Sequence, residues 1–237
     1  MTEVALSESL AAANRRLAEA LAKAGREPAA ARLLAVSKTK PALMVREAHR
    51  LGQRDFGENY LQEALEKQVA LADLPDIVWH FIGPLQSNKS RAVAEHFAWL
   101  HSLDREKLAR RLSEQRPTHL PPLNVCLQVN ISDEATKAGV SLDDLPALAE
   151  AVVALPGLSL HGLMAIPAPA QGGEAQREPY ARLRQALEAL RQRFPEAPLD
   201  TLSMGMSDDL EAAVAEGATW VRLGTAIFGA RPKTPRP

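Results

Sequence analysis

The sequence predicts an α/β fold: one (β/α)8 TIM barrel domain carrying an extra N-terminal helix. Three observations lead there. Short strand-like runs alternate with helical runs from Arg32 to near the end of the chain, and such alternation implies parallel strands joined by right-handed crossovers. The length of 237 residues suits one barrel better than two ordinary domains. No GxGxxG follows the first strand, so an open doubly wound sheet lacks its usual signature.

In chain order, Ser7 to Ala24 carries Leu10, Leu17 and Leu21 at helical spacing and stops at Gly25, which marks an amphipathic helix. Strands are expected at Arg32 to Ser37, Asp55 to Gly57, Ile77 to Phe81, Trp99 to Ser102, Asn124 to Val129, Leu158 to Met164, Thr201 to Leu202 and Trp220 to Arg222. The second and seventh are legible only from the rhythm around them. Helices are expected at Ala42 to Leu51, Tyr60 to Leu71, Ser90 to Glu95, Arg105 to Glu114, Leu142 to Ala154, Glu174 to Arg193 and Asp208 to Glu216. The Pro- and Gly-rich stretch Pro167 to Glu178 reads as a mobile excursion, not a domain boundary. One domain is expected over residues 1–237, with 1–6 and 232–237 disordered.

Composition narrows the function. Apolar residues make up 46% and charged residues 24%, with a net charge of −1, so a nucleic-acid surface or an anionic-membrane surface is not expected. The lone Cys126 excludes an internal disulfide and a cysteine metal cluster, and reads as a small buried hydrophobe. No histidine–carboxylate spacing points to metal, and no GxSxG or Cys–His motif points to a hydrolase. The amino terminus lacks the pattern of a signal peptide and no apolar run is long enough for a bilayer, so the expected compartment is cytoplasmic.

In such barrels chemistry gathers at the carboxyl ends of the strands. Lys38 directly follows the first strand; partial desolvation there lowers an amine's pKa and leaves it neutral enough to attack a carbonyl. The competing reading is a surface lysine opening a loop, which is how Lys40 reads. Glu58 and Asn59 follow strand two, His80 lies near the end of strand three, His101 and Ser102 end strand four, and strand five runs into Asn130. SMGMS (Ser203, Met204, Gly205, Met206, Ser207) and VRLGT (Arg222, Gly224, Thr225) look like a split phosphate cup: glycines for close approach, hydroxyls as donors, and a helix start with Ser207 as its cap. Arg222, on the last strand, is expected to meet a ligand or an inner carboxylate. His80 reads equally as a hydrogen-bonded core histidine, His161 as structural, and Lys137 as a solvated loop lysine.

The runs AVSKTKP, FGENYLQEALEK, WHFIGPLQSNKSR, LQVNISDEATKAG, HGLMAIP and LSMGMSDDLEAAVAEGATWVRLGTAIFG, in this order, resemble the pyridoxal-phosphate homeostasis protein family, whose fold is that of the alanine racemase N-terminal barrel. The likeness runs from about Ser7 to Arg231. It implies pyridoxal 5′-phosphate (PLP) as cofactor, held as a Schiff base on Lys38. It further implies phosphate contacts from Ser203, Ser207, Gly224 and Thr225, with Met204 in the same motif, Arg222 facing the pyridine nitrogen, and Asn59 and His80 beside the ring. An arginine there keeps the nitrogen unprotonated and weakens the cofactor as an electron sink. The resemblance also implies a carrier in vitamin B6 homeostasis without robust turnover, PLP-dependent apoenzymes as acceptors, and no catalytic residues of its own. A monomer is expected. Two rivals stand beside it: a PLP-dependent amino-acid racemase, which needs a second base that neither Tyr60 nor Tyr180 is placed to supply, and an aldolase-type barrel using Lys38 on a phosphosugar.

Overall fold

The computed structural model describes residues 2–135 and 137–230; the disorder expected for 232–237 falls outside them. The strands are β1 (Arg32–Val36), β2 (Asp55–Glu58), β3 (Val78–Phe81), β4 (Trp99–Leu103), β5 (Leu123–Gln128), β6 (Leu158–Met164), β7 (Thr201–Ser203) and β8 (Trp220–Leu223). They pair in sequence order, all parallel, and β8 returns to β1 to close the barrel. The helices are α1 (Glu3–Lys23), α2 (Ala42–Arg50), α3 (Leu61–Ala70), α4 (Ser90–His96), α5 (Glu106–Gln115), α6 (Leu145–Val153), α7 (Gly173–Arg193), α8 (Leu210–Ala215) and α9 (Thr225–Phe228). The predicted (β/α)8 barrel is the one observed.

Helices cover the outside of the sheet while side chains fill its inside, so both strand faces are dry and the strands read as apolar runs. Leu33, Leu34, Ala35 and Val36 of β1 are all buried, as are Val125, Cys126 and Leu127 of β5. Cys126 is the buried hydrophobe expected; burial pushes its thiol up. Gly162 of β6 lies so close to β7 that a Cβ would sit 1.7 Å from the Thr201 carbonyl oxygen, a contact only glycine permits.

The structure corrects several expectations. Residues 3–6, expected to be disordered, belong to α1: the Thr2 hydroxyl caps it by accepting from the Ala5 N–H at 3.1 Å, and Leu6 is the first of a buried stripe that continues through Leu10, Leu17 and Leu21. That stripe seats α1 against α8 and α9, the two helices next to the predicted phosphate cup. The excursion expected over Pro167–Glu178 ends at residue 172, where α7 begins at Gly173. Ser207 is not the helix cap; α8 starts three residues later at Leu210, and the preceding turn is held by Asp209 Oδ1, which accepts from the Met206 N–H at 2.8 Å. The short α9 has no counterpart in the predicted elements, because four residues leave no periodicity to read.

Candidate ligand site at the carboxyl ends of the strands

A cavity of about 270 Å³ opens where the carboxyl ends of β1, β2, β7 and β8 meet. That is near the lower end of the range for small-molecule sites, roughly 300–1,000 Å³. Lys38, Thr39 and Lys40 line it after β1, and Asn59 after β2. Ser207 and Asp208 approach from the loop after β7; Arg222, Gly224 and Thr225 approach from β8 and the start of α9. Ile82, Ile166 and Met206 supply apolar wall. Its charged side chains are three cations, Lys38, Lys40 and Arg222, against one carboxylate, Asp208. The balance favours an anion.

Lys38 sits in a turn closed by the Lys40 N–H donating to the Ser37 carbonyl at 3.1 Å. Thr39 takes a left-handed backbone conformation (φ 67°) that costs a non-glycine residue of order 1–3 kcal/mol unless the surroundings impose it. They do so on both sides of the lysine. The Thr39 N–H donates to Glu63 Oε1 at 2.5 Å, the Ser37 hydroxyl donates to Glu58 Oε1 at 2.7 Å, and Lys67 Nζ donates to the Ser37 carbonyl at 2.6 Å. Lys67 pairs with Glu58 at 2.7 Å and Glu63 at 2.8 Å, so a buried cluster behind the wall holds the turn that carries Lys38. Burial raises the Glu58 carboxyl above its ordinary range, and Lys67 pulls it partly back.

On the opposite wall, Gly205 is left-handed (φ 102°) and a Cβ there would meet Ala213 Cβ at 2.6 Å, so the SMGMS loop lies tight against α8. A Cβ on Gly224 would lie 3.3 Å from the Val36 carbonyl oxygen, which measures how closely the β8–α9 junction approaches β1. Thr225 opens α9, whose Ile227 and Phe228 N–H groups donate to the Gly224 carbonyl at 3.0 and 2.9 Å, leaving the Thr225 and Ala226 amides at the open end of the helix.

Arg222 is 5% exposed. Its partners are neutral oxygens and not the inner carboxylate that was one expectation: Nη1 donates to Ser203 Oγ at 2.8 Å and Nη2 to the Ala165 carbonyl at 3.1 Å.

Of the nine residues predicted from sequence, six surround this cavity: Lys38, Asn59, Ser207, Arg222, Gly224 and Thr225. His80, Ser203 and Met204 are fully buried and are not among its lining residues. Among the described residues Ser203 meets it through Arg222. His80 lies deeper in the barrel, between Asp55 and His101 at 2.9 Å each, its ring stacked on Trp99. Lys40, read as a surface lysine, lines the rim with its amine on the Ala230 carbonyl at 2.8 Å. His161 pairs with Asp200 at 2.9 Å, and Lys137 with Glu134 at 3.2 Å, away from the cavity. Sequence reasoning passed over Thr39, Asp55, Glu63 and Lys67. Only the Glu63–Lys67 spacing of four on one helix carried a signal, and that is equally an ordinary surface pair.

The family model of the alanine racemase N-terminal domain matches residues 9–232. The pyridoxal phosphate homeostasis protein of Pseudomonas aeruginosa is 65% identical over 226 residues, covering 95% of this chain and 96% of that one. Its namesake from Escherichia coli (strain K12) is 53% identical over 228 residues, covering 95% and 97%. Among solved structures, PipY of Synechococcus elongatus with PLP bound superposes with a TM-score of 0.80 at 43% identity, over 90% of this chain and all of that one (100%).

Proposed function

Because this chain belongs to the alanine racemase N-terminal domain family, and within it to the pyridoxal phosphate homeostasis proteins, we propose that its mouth cavity takes PLP and that Lys38 holds it covalently. The observation that carries the reading is the meeting of the Lys38 amine and an anion cradle, Ser207–Gly224–Thr225, across a single cavity of small-ligand size. The residues present fit the group. Thr39 Oγ1 and Asn59 Oδ1 are buried atoms with no hydrogen-bond partner among the described residues, and both belong to residues lining the cavity, where a polar ligand would satisfy them.

When bound, PLP would supply an aldehyde open to condensation with a primary amine, with loss of water. Lys38 provides that amine from a turn that Glu58, Glu63 and Lys67 hold in place. Ser207, the Gly224 backbone and Thr225 would hold its phosphate with hydroxyl and amide donors, and the cations at the cavity would add attraction for the anion. Ile82 and Ile166 give the cavity apolar wall that would shield a bound ring from water. Arg222 presents a donor-only guanidinium and therefore offers a ring nitrogen no proton acceptor, which keeps that nitrogen unprotonated. Of the other predicted contacts, Asn59 lines the cavity and could border the cofactor, whereas His80, Ser203 and Met204 lie behind its wall.

The chain acts as a cofactor carrier in vitamin B6 homeostasis, without robust turnover. Racemisation requires bases on opposite faces of one carbon. Tyr180 does not line the cavity and donates to Asp209 Oδ2 at 2.5 Å, with burial pushing its phenol up. PLP-requiring apoenzymes are the acceptors, and the chain works as a cytoplasmic monomer of one domain. Among the described residues no helix is long and apolar enough to cross a membrane. The test is a titration of the purified protein with PLP followed by absorbance, polarimetry of added L-alanine, and transfer to an apoenzyme. The proposal expects saturable uptake, flat optical rotation and recovery of apoenzyme activity; Lys38-dependent loss of rotation above background overturns the carrier reading in favour of a racemase.

A further inference from the structure

A line of polar side chains crosses the inside of the barrel. Asp55, the first residue of β2, accepts at Oδ1 from His80 Nε2 at 2.9 Å. His80 Nδ1 meets His101 Nε2 at 2.9 Å, His101 Nδ1 meets Ser203 Oγ at 2.7 Å, and Ser203 Oγ accepts from Arg222 Nη1 at 2.8 Å. The register of β4 against β5 shifts between Leu100 and Leu103, and an irregularity there re-aims the intervening side chains, His101 among them. His80, His101 and Ser203 are fully buried, and Asp55 and Arg222 are each 5% exposed.

We infer that Asp55, at the amino end of the barrel, fixes the orientation of Arg222 at the ligand cavity through this chain, and that the hydrogen bonds all run one way, from Arg222 to Asp55. Arginine can only donate, and a carboxylate can only accept. Three groups that each give one hydrogen and take one stand between them. A single assignment satisfies all of them: Arg222 donates to Ser203, Ser203 to His101 Nδ1, His101 Nε2–H to His80 Nδ1, and His80 Nε2–H to Asp55. Reversal would aim a bare His80 Nε2 at the Asp55 carboxylate and leave the Ser203 hydrogen without an acceptor among the described residues. Burial lowers the pKa of both imidazoles, so each carries the one ring proton the assignment needs. The rings are also held in plane: His80 stacks on Trp99 (5.6 Å, 9°) and meets Trp220 edge-on at 4.9 Å. At the far end Arg32 donates to Asp55 Oδ2 at 2.8 Å and lies over the Trp220 ring at 4.8 Å, which pins the anchor. Asp55, His80 and His101 are positioning residues. None lines the cavity, yet together they set which way the Ser203 hydrogen points, and so how the hydroxyl beside Arg222 is held.

The consequence for the ligand rests on the PLP reading; the chain's direction does not. The experiment has two arms on the full chain. In the first, ring nitrogens of ¹⁵N-histidine protein are read by NMR without ligand, with assignments from His80→Gln and His101→Gln. Both imidazoles are expected as Nε2–H tautomers; an Nδ1–H form of either ring overturns the inference. In the second, Asp55→Asn presents an amide N–H that can donate to His80, so Nδ1–H signals should appear on both rings. Ser203 Oγ then accepts from both His101 and Arg222 and its own hydrogen is left without an acceptor among the described residues, so the hydroxyl and Arg222 should shift to relieve it, the Kd for PLP should rise about tenfold and the absorption band of the bound cofactor should move. Unchanged tautomers in that variant, or altered tautomers with an unchanged Kd and band, overturn it. Should Asp55→Asn fail to fold, Ser203→Ala deletes the link beside Arg222 and carries the same expectation for Kd and band. Failure of the unsubstituted protein to take up PLP counts against the functional reading, while the ring tautomers still decide for or against the chain.

Discussion

Substituting Lys67 by methionine tests how the Lys38 turn is held. The side chains of Lys67 and Glu58 are 5% and 0% exposed, so methionine fills the space but strands a buried carboxylate. Removing one partner of a buried pair costs about 3–5 kcal/mol, a large part of the roughly 5–15 kcal/mol that keeps a domain folded. The Glu58 carboxyl already lies above the ordinary value of 4.5 because of burial, and Lys67 is the first influence that opposes the rise. Without it Glu58 holds its proton to higher pH in the folded state than in the unfolded chain. A folded state that binds more protons loses stability as pH climbs from the unfolded pKa toward the folded one. Lys67→Met should therefore be destabilised by about 3 kcal/mol at pH 8 in urea unfolding followed by circular dichroism, and by clearly less at pH 5, where the stranded carboxyl is protonated. Adding Glu58→Leu should recover most of the loss, because an apolar pair replaces the ionic one. A deficit of equal size at both pH values, or one under about 1 kcal/mol at pH 8, would refute the reasoning.

The two buried imidazoles give the opposite slope: their folded pKa values lie below the ordinary 6.5, so the unfolded chain binds more protons and stability should fall as pH drops through that value. Thermal unfolding between pH 8 and pH 5.5 checks this, and a Tm that rises on acidification would contradict it. Gly162→Ala should abolish soluble expression, since its Cβ would lie 1.7 Å from the Thr201 carbonyl oxygen and force β6 from β7; a soluble variant with wild-type Tm would show that the strands can part cheaply. Leu21→Ala on α1, where the side chain is 1% exposed, should cost about 2–5 kcal/mol by urea unfolding, and a cost below about 1 kcal/mol would mean that α1 is not an integral part of the fold.

The barrel was legible because its rhythm survives weak members. Neither Asp55–Glu58 nor Thr201–Ser203 announces a strand alone, yet both occupy the places the alternation reserves for them. That Lys38, Ser207, Arg222, Gly224 and Thr225 gather at one opening was legible for a related reason: strand ends are predictable, and unusual residues at strand ends mark a mouth. What the sequence withheld is contact between segments far apart in the chain. Asp55 and His80 are 25 residues apart and His101 and Ser203 are 102 apart, and no spacing rule links them. His80 is expected beside the cavity because it lies near the end of a short strand and within a family motif, but whether such a side chain points to the mouth or to the core depends on strand register. Lys67 reads as a helix-surface lysine of an i, i+4 pair until the fold turns it inward under Ser37.

The central claim is that Lys38 is the carrier amine. Loading the unaltered protein with PLP, reducing it with borohydride and mapping the pyridoxyl group by peptide mass spectrometry tests that directly. The account predicts the label on Lys38 at near one equivalent; a label predominantly on Lys40, Lys137 or any other lysine, or none at all, would contradict it.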